Sequence, residues 1–454
     1  MLRIRHGAVL LLMLFILMGC GGSTPSDTST SSATPTTEVK STPLTADLTE
    51  SLQKGIGVDG AYPFANSEDP DTPIWMSSAD LLVNEHIDAD SRYQHIEKFD
   101  GDAFVNLQNR LKKSKYIVYW ITAYWNESWF DLKGMQALLD KGYVLVFNYW
   151  YFADELAGGL PSNEKVQAYY EHNKKVVEYL SQLNGKKLII MEPEFNKWSV
   201  VTHPTQEDQE AFADMLGGAI DTLRAGISDV AFSLSMMDTG VRDASVSFAA
   251  CGYSPCSKGD LDMWKRSETI YKRLGDRLDF ISFSEMLGQF SRDYEHPIKD
   301  DGTPNPRSYT NTELGIEDLP ERLVNLVNYL QETYAKPIFL SHIALATATW
   351  EDANGDDVVQ TDEVNASGWQ PEVDNFYMKL KDRSGDLLEG GLFGLASMKL
   401  FDNPQQDING YQYFLQNEYH LGLISTSAVD GVDKYLKGDI HFKGTVFEGL
   451  FDEM

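Results

Sequence analysis

Leu188-Ile189-Ile190-Met191-Glu192-Pro193-Glu194-Phe195-Asn196 is an apolar run that stops on two carboxylates separated by a proline. An unbroken apolar run of this length, bounded by turn residues, reads as a strand buried on both faces. Asn184-Gly185-Lys186 forms a tight turn before it, and Pro193 biases Glu192 towards an extended backbone at its end. Strands buried on both faces belong to parallel sheets covered by helices. This run therefore predicts an α/β protein with a polar cluster at the carboxyl end of a central strand.

The flanking sequence repeats the pattern. Candidate strands are Ile74–Leu82, Tyr116–Thr122, Tyr143–Trp150, Lys187–Glu192, Asp229–Ser235, Asp279–Glu285, Pro337–Leu345 and Gly391–Leu400. Between them lie apolar residues at helical spacing, such as Val166, Tyr169, Tyr170, Val176, Val177 and Leu180 before Gly185. Thr205 and Asp208 read as a capping box opening a helix through Leu223, and Pro320 introduces another over Glu321–Tyr334. Alternating strands and helices point to a parallel sheet, and closure of eight strands gives a (β/α)8 TIM barrel. Turns entering strands are tight, whereas the exits over 193–204, 236–261, 286–318 and 346–371 are long. Exit loops of such a barrel gather at one face, where ligands bind, so the long loops predict an elaborated substrate face.

At Glu192-Pro193 the chain resembles the (β/α)8 glycoside hydrolases of the large cellulase and mannanase superfamily, whose fourth strand ends Asn-Glu-Pro. Met191 stands where the asparagine is expected. The resemblance extends to the seventh strand, Lys336-Pro337-Ile338-Phe339-Leu340-Ser341-His342, where His342 replaces the family's nucleophilic glutamate. It implies that Glu192 is the general acid. Glycoside hydrolysis also needs a facing carboxylate, and Glu285, Glu194 and Asp238 are the candidates, in that order. Glu194 stands two residues from Glu192, about 7 Å along a strand, within the roughly 6.5–9.5 Å of inverting pairs. With histidine at the seventh strand, inversion is the expected stereochemistry.

Aromatic residues crowd the same strand ends: Trp125, Trp129, Tyr149, Trp150 and Trp198. A flat ring packs against the C–H face of a sugar while its polar edge stays wet. These residues, with Asn196 and His342, are the candidate substrate contacts; Phe147 and Trp120 read as core. No Gly-rich phosphate loop, Gly-x-Ser-x-Gly elbow or His-Glu-x-x-His helix occurs, and no organic cofactor is expected. The net charge of −30 argues against nucleic acid as a partner.

The amino terminus sets the compartment. Arg3, Arg5 and His6 precede the apolar run Ala8–Met18, then Gly19-Cys20. That order describes a signal peptide over residues 1–19, and its apolar run falls short of the roughly 20 residues a membrane span needs. The site resembles the lipobox of bacterial lipoproteins, which implies a diacylglyceryl anchor on Cys20 and a place on the cell envelope. Gly21 fits an outer-membrane or cell-surface address. Residues 20–45 are a Gly/Ser/Thr/Pro linker too poor in large apolar side chains to fold, and the barrel occupies 46–454. In an oxidising compartment, Cys251 and Cys256 are expected to form a disulfide closing a small loop.

A second site lies after the seventh strand. Asp352, Asn354, Asp356, Val358 and Glu363 resemble the ligand positions of an EF-hand calcium loop, although Asp357 stands where glycine is expected. The expectation is one structural Ca2+. Together these readings imply a surface-anchored glycoside hydrolase acting on poly- or oligosaccharide. The alternative is a lipoprotein that binds glycans without cutting them.

Overall fold

The computed structural model of the chain describes residues 55–64, 74–76, 112–152, 160–197, 205–237, 262–287, 319–350, 363–365, 367–401, 421–426 and 440–442. Its centre is a closed parallel barrel of strands β1 (Gly55–Phe64), β2 (Tyr116–Thr122), β3 (Val144–Trp150), β4 (Lys187–Met191), β5 (Val230–Met237), β6 (Ile281–Leu287), β7 (Ile338–Leu345) and β8 (Leu392–Ser397). Each strand pairs in parallel with the next, and β8 closes on β1 through Gly55↔Gly394 and Gly57↔Ala396. The expected first strand is corrected. Ile74–Met76 is a short antiparallel partner of Tyr62–Phe64 at the end of β1, and Gly55–Phe64 takes its place in the barrel. The glycines and alanine of that segment give it none of the long apolar character that marks the other strands.

Strand periodicity divides the core in two. Ile117, Tyr119, Leu145, Phe147, Ile189, Phe232 and Phe283 face outwards and join residues of the surrounding helices, including α1 (Leu132–Asp140), α2 (Asn163–Leu180) and α3 (Gln206–Gly226), in one apolar layer. Tyr116, Val118, Val146, Leu188, Ile190, Phe280, Phe339 and Phe393 fill the barrel. Thr205 caps α3 by accepting from the Asp208 N–H at 3.1 Å, as its spacing predicted. The helix expected over Glu321–Tyr334 is α4 (Leu319–Tyr334) before β7, and α5 (Gln370–Asp382) precedes β8.

The tight turns entering strands hold left-handed residues. Gly185 before β4 has φ 135° and Gly391 before β8 has φ 95°, conformations glycine adopts without a Cβ penalty. At this lower end the buried Lys187 ties down the turn between α2 and β4, its Nζ donating to the carbonyls of Leu183 at 3.0 Å and Gly185 at 2.6 Å.

The signal, Cys20, the linker, Trp198, Asp238, Cys251 and Cys256 lie outside the described residues. So do Asp352, Asn354, Asp356 and Val358; of the expected calcium ligands only Glu363 is described, and it is partly buried. That loop begins and ends in a paired ladder, Trp350↔Val364 and Thr349↔Asn365, so its two ends are held side by side. Among the described residues, no helix is long and apolar enough to cross a membrane and no cluster of metal-ligating side chains is present.

Candidate active site

The end of β4 is a turn, not the extended exit that Pro193 suggested. Glu192 has φ 38° and Glu194 φ 69°, both left-handed and both costly for a non-glycine residue. Backbone bonds pin the turn on either side: the Glu192 N–H donates to Tyr149 O at 2.8 Å, and the Glu194 N–H to Ser235 O at 3.2 Å. The two carboxyls thereby separate.

Glu192 turns back onto β3. Its Oε1 accepts from the Tyr151 N–H at 3.3 Å and its Oε2 from the Phe152 N–H at 3.2 Å. The group is fully buried, and burial raises its pKa to about 8 despite these donors and the Tyr169 hydroxyl, which favour the anion. Glu194 faces the barrel mouth. It is 5% exposed, and its Oε1 stands 4.0 Å from His342 Nε2.

His342 reaches the mouth through an irregularity in β7. The β6–β7 register shifts between Phe283 and Ser284, so that Ser284 pairs with His342. The imidazole, fully buried, packs 5.3 Å from the Trp120 ring, and Trp150 meets Trp120 edge-on at 5.9 Å. Carboxyl, imidazole and indoles from β2, β3, β4 and β7 thus converge at the carboxyl end of the barrel.

Other predicted contacts stand elsewhere. Tyr149 alternates onto the outer face, fully buried, with its hydroxyl 2.7 Å from His172 Nδ1 on α2. Trp125 packs edge-on against His172 and Tyr179 in the same layer, and Trp129 is partly buried against it. Strand-end position alone did not reveal which face each ring takes. Asn196 is a latch: its amide donates to Met237 O at 2.8 Å and accepts from the Met237 N–H at 2.9 Å, tying the turn to β5. Glu285 is fully buried, and the pleat places it with Ile281 and Phe283 on the helix-facing side, away from the mouth where it was expected.

Trp120, read as core, is buried and packs on His342, and Asn148, an amide at an inward position of an otherwise apolar strand, was not singled out. The second carried a readable signal, since a polar residue inside an apolar strand must find a partner. The barrel also holds a column of buried serines, with Ser235 Oγ 3.0 Å from Ser341 Oγ and Ser282 Oγ donating to Ser233 Oγ at 2.9 Å.

Burial of Glu192 makes stability depend on pH. Its folded pKa is raised above the usual carboxylate value, so its contribution is fully present below about pH 4.5 and is lost as pH rises through about 8. Wild type should therefore lose on the order of 3–5 kcal/mol relative to Glu192→Gln over that range. Thermal melts of both proteins across the range check this, and a constant difference in Tm would refute it.

No protein-family profile and no curated protein sequence matches the chain. Solved structures do resemble it in overall course. A family 1 glycoside hydrolase of Thermotoga maritima, complexed with a cyclophellitol analogue, is 13% identical, with 88% of this chain and 97% of that chain covered and a TM-score of 0.48. A β-glucosidase of the same organism in complex with deoxynojirimycin is 12% identical, with 88% and 97% covered and a TM-score of 0.47. The β-glycosidase BGL167 is 14% identical, with 88% and 95% covered and a TM-score of 0.43.

Proposed function

We propose that the chain is a surface-anchored glycoside hydrolase cleaving poly- or oligosaccharide at the barrel mouth, with Glu194 as the proton donor. The observation that carries this reading is the nearly buried Glu194 carboxyl 4.0 Å from His342, whose ring packs on Trp120, itself in contact with Trp150. A carboxyl in a site shielded from water can hold a proton for the leaving oxygen, and indole faces suit sugar rings. Glu192, committed to two backbone N–H groups, supports the β3 exit. With Glu285 turned to the helix-facing side of β6, Asp238, the residue that follows β5 in the sequence, is proposed as the second carboxylate. With His342 on β7 in place of a nucleophile, the reaction inverts configuration.

Incubation with a panel of polysaccharides, read by new reducing ends and by proton NMR of the first-formed anomer, tests this. Retention of configuration would overturn the inverting mechanism. Binding without release of reducing ends would favour the second reading, a non-catalytic glycan receptor, which the histidine on β7 supports. Anchoring rests on Cys20, and Cys20→Ala should move the protein from the membrane to the soluble fraction.

The acidic loop 352–363 is proposed to hold a structural calcium ion, supported by the ligand spacing and by the ladder that brackets it. Chelation should lower Tm, and added calcium should restore it by binding the folded state. Asp352→Ala with Glu363→Ala should abolish the response; a response unchanged in that double variant would place the ion elsewhere.

A further inference from the structure

Three inward-facing polar groups near the mouth lack hydrogen-bond partners among the described residues. They are the Asn148 amide, through both Oδ1 and Nδ2, the Trp120 indole N–H and the Ser284 hydroxyl. Asn148 and Ser284 are fully buried, and Trp120 is 8% exposed. Their neighbours in sequence, Tyr119, Phe147, Tyr149 and Phe283, belong to the outer layer, so the pleat turns all three inwards. Trp120 and Asn148 are cross-strand partners, Trp120 packs on His342, and Ser284 is in register with His342. They therefore form one group around the imidazole that faces Glu194.

An unsatisfied buried polar group costs about 1–3 kcal/mol, and native interiors leave few of them. Several gathered beside a candidate proton donor indicate a ligand that completes them. The donor set defines that ligand. An amide supplies donors and an acceptor, the indole a donor, and serine either role. This matches neighbouring hydroxyls, each able to give and to take a hydrogen bond. Among the described side chains no lysine or arginine stands on the inner face at this end, and Glu194 is present. An anionic ligand would lose its hydration there with no described lysine or arginine to offset the loss.

We infer that Asn148, Trp120 and Ser284 are specificity-determining contacts for an uncharged sugar ring, and that the mouth rejects uronic-acid and sulfated sugars. This inference rests on the carbohydrate reading above and narrows it to neutral glycans.

The test is Asn148→Leu, which keeps the shape of the side chain and deletes its polar atoms, in the full chain. Titration calorimetry would use cello-, manno- and xylo-oligosaccharides as neutral probes and oligogalacturonate as the acidic one. Wild type should bind one or more neutral probes and not oligogalacturonate. Asn148→Leu should weaken the neutral binding by at least about 10-fold, the loss expected of a buried polar contact. In the absence of sugar the same change should raise Tm by about 1–3 °C, because it removes an unsatisfied amide. Trp120→Phe, which keeps an aromatic face and deletes the N–H, should weaken binding several-fold and provides a second reading if Asn148→Leu folds poorly. Unchanged affinity in both variants, or a preference for oligogalacturonate, overturns the inference. A lowered Tm with unchanged affinity assigns Asn148 to structure and also overturns it. Failure of wild type to bind any probe sinks the carbohydrate reading itself.

Discussion

Glu194→Gln should lower turnover by about 10²–10⁴-fold, the usual loss when a positioned proton donor is removed. The amide preserves the shape of the side chain and its approach to His342, so Tm and sugar affinity should stay close to wild type. Glu192→Gln is the internal control. At neutral pH the buried Glu192 carboxyl already holds its proton, its pKa being pushed up to about 8. A neutral amide should therefore retain turnover within about 10-fold, below the range typical of a lost general acid. Single-turnover rates for both variants on the most rapidly cleaved polysaccharide make the comparison. If Glu192→Gln suffers the large loss and Glu194→Gln keeps more than a tenth of wild-type rate, the two roles are reversed.

The largest effect on stability is expected at Phe339. Its ring is fully buried in the barrel, 5.0 Å from Tyr116, 5.2 Å from Phe393 and 6.2 Å from Phe280. This cluster closes the barrel below the mouth, and it fits because β8 offers no side chain at Gly394. A Cβ there would stand 2.6 Å from the Phe339 ring and 2.8 Å from that of Tyr116. Phe339→Ala removes the ring from a layer whose neighbours sit on hydrogen-bonded strands and cannot collapse. The cost should be about 3–5 kcal/mol, read as a lower denaturant midpoint at unchanged slope. The half-exposed Met378 on α5 provides the contrast, and Met378→Ala should stay within about 0.5 kcal/mol. A loss below about 1.5 kcal/mol at Phe339 would mean that the barrel repacks, contrary to the rigid-strand argument.

Much of the barrel was legible because its strands are buried on both faces. β2, β3, β4 and β7 are long apolar runs between turn residues, and their bounds in the sequence and in the structure agree within a few residues. β1 was not legible. Its glycines make room for Tyr116 and Ala396, with a Cβ at Gly57 falling 2.7 Å from Tyr116 Cβ, so packing removed the apolar signal that identifies a strand. At the end of β4 the motif around Glu192 placed two carboxyls but not which of them faces inwards. That choice depends on the left-handed turn at Glu192 and Glu194, a product of tertiary contacts with Tyr149 and Ser235. The aromatics divided for a similar reason. Trp150 lies at the mouth and Tyr149 behind the wall, one residue apart on a pleated strand.

Closure of the barrel through Gly55–Gly57 and Gly394–Ala396 has a consequence for how the chain is made. The first strand waits for the last, so the contact that seals the sheet is among those most distant in sequence. Joining such ends carries a loop-closure cost that local helix and hairpin contacts avoid, and topologies of this kind fold slowly. Until residue 397 has been synthesised, β1 and β7 each present an open row of backbone donors and acceptors, the type of edge along which chains aggregate. A chain cut short anywhere before β8 keeps both edges exposed, however completely its other strands are paired.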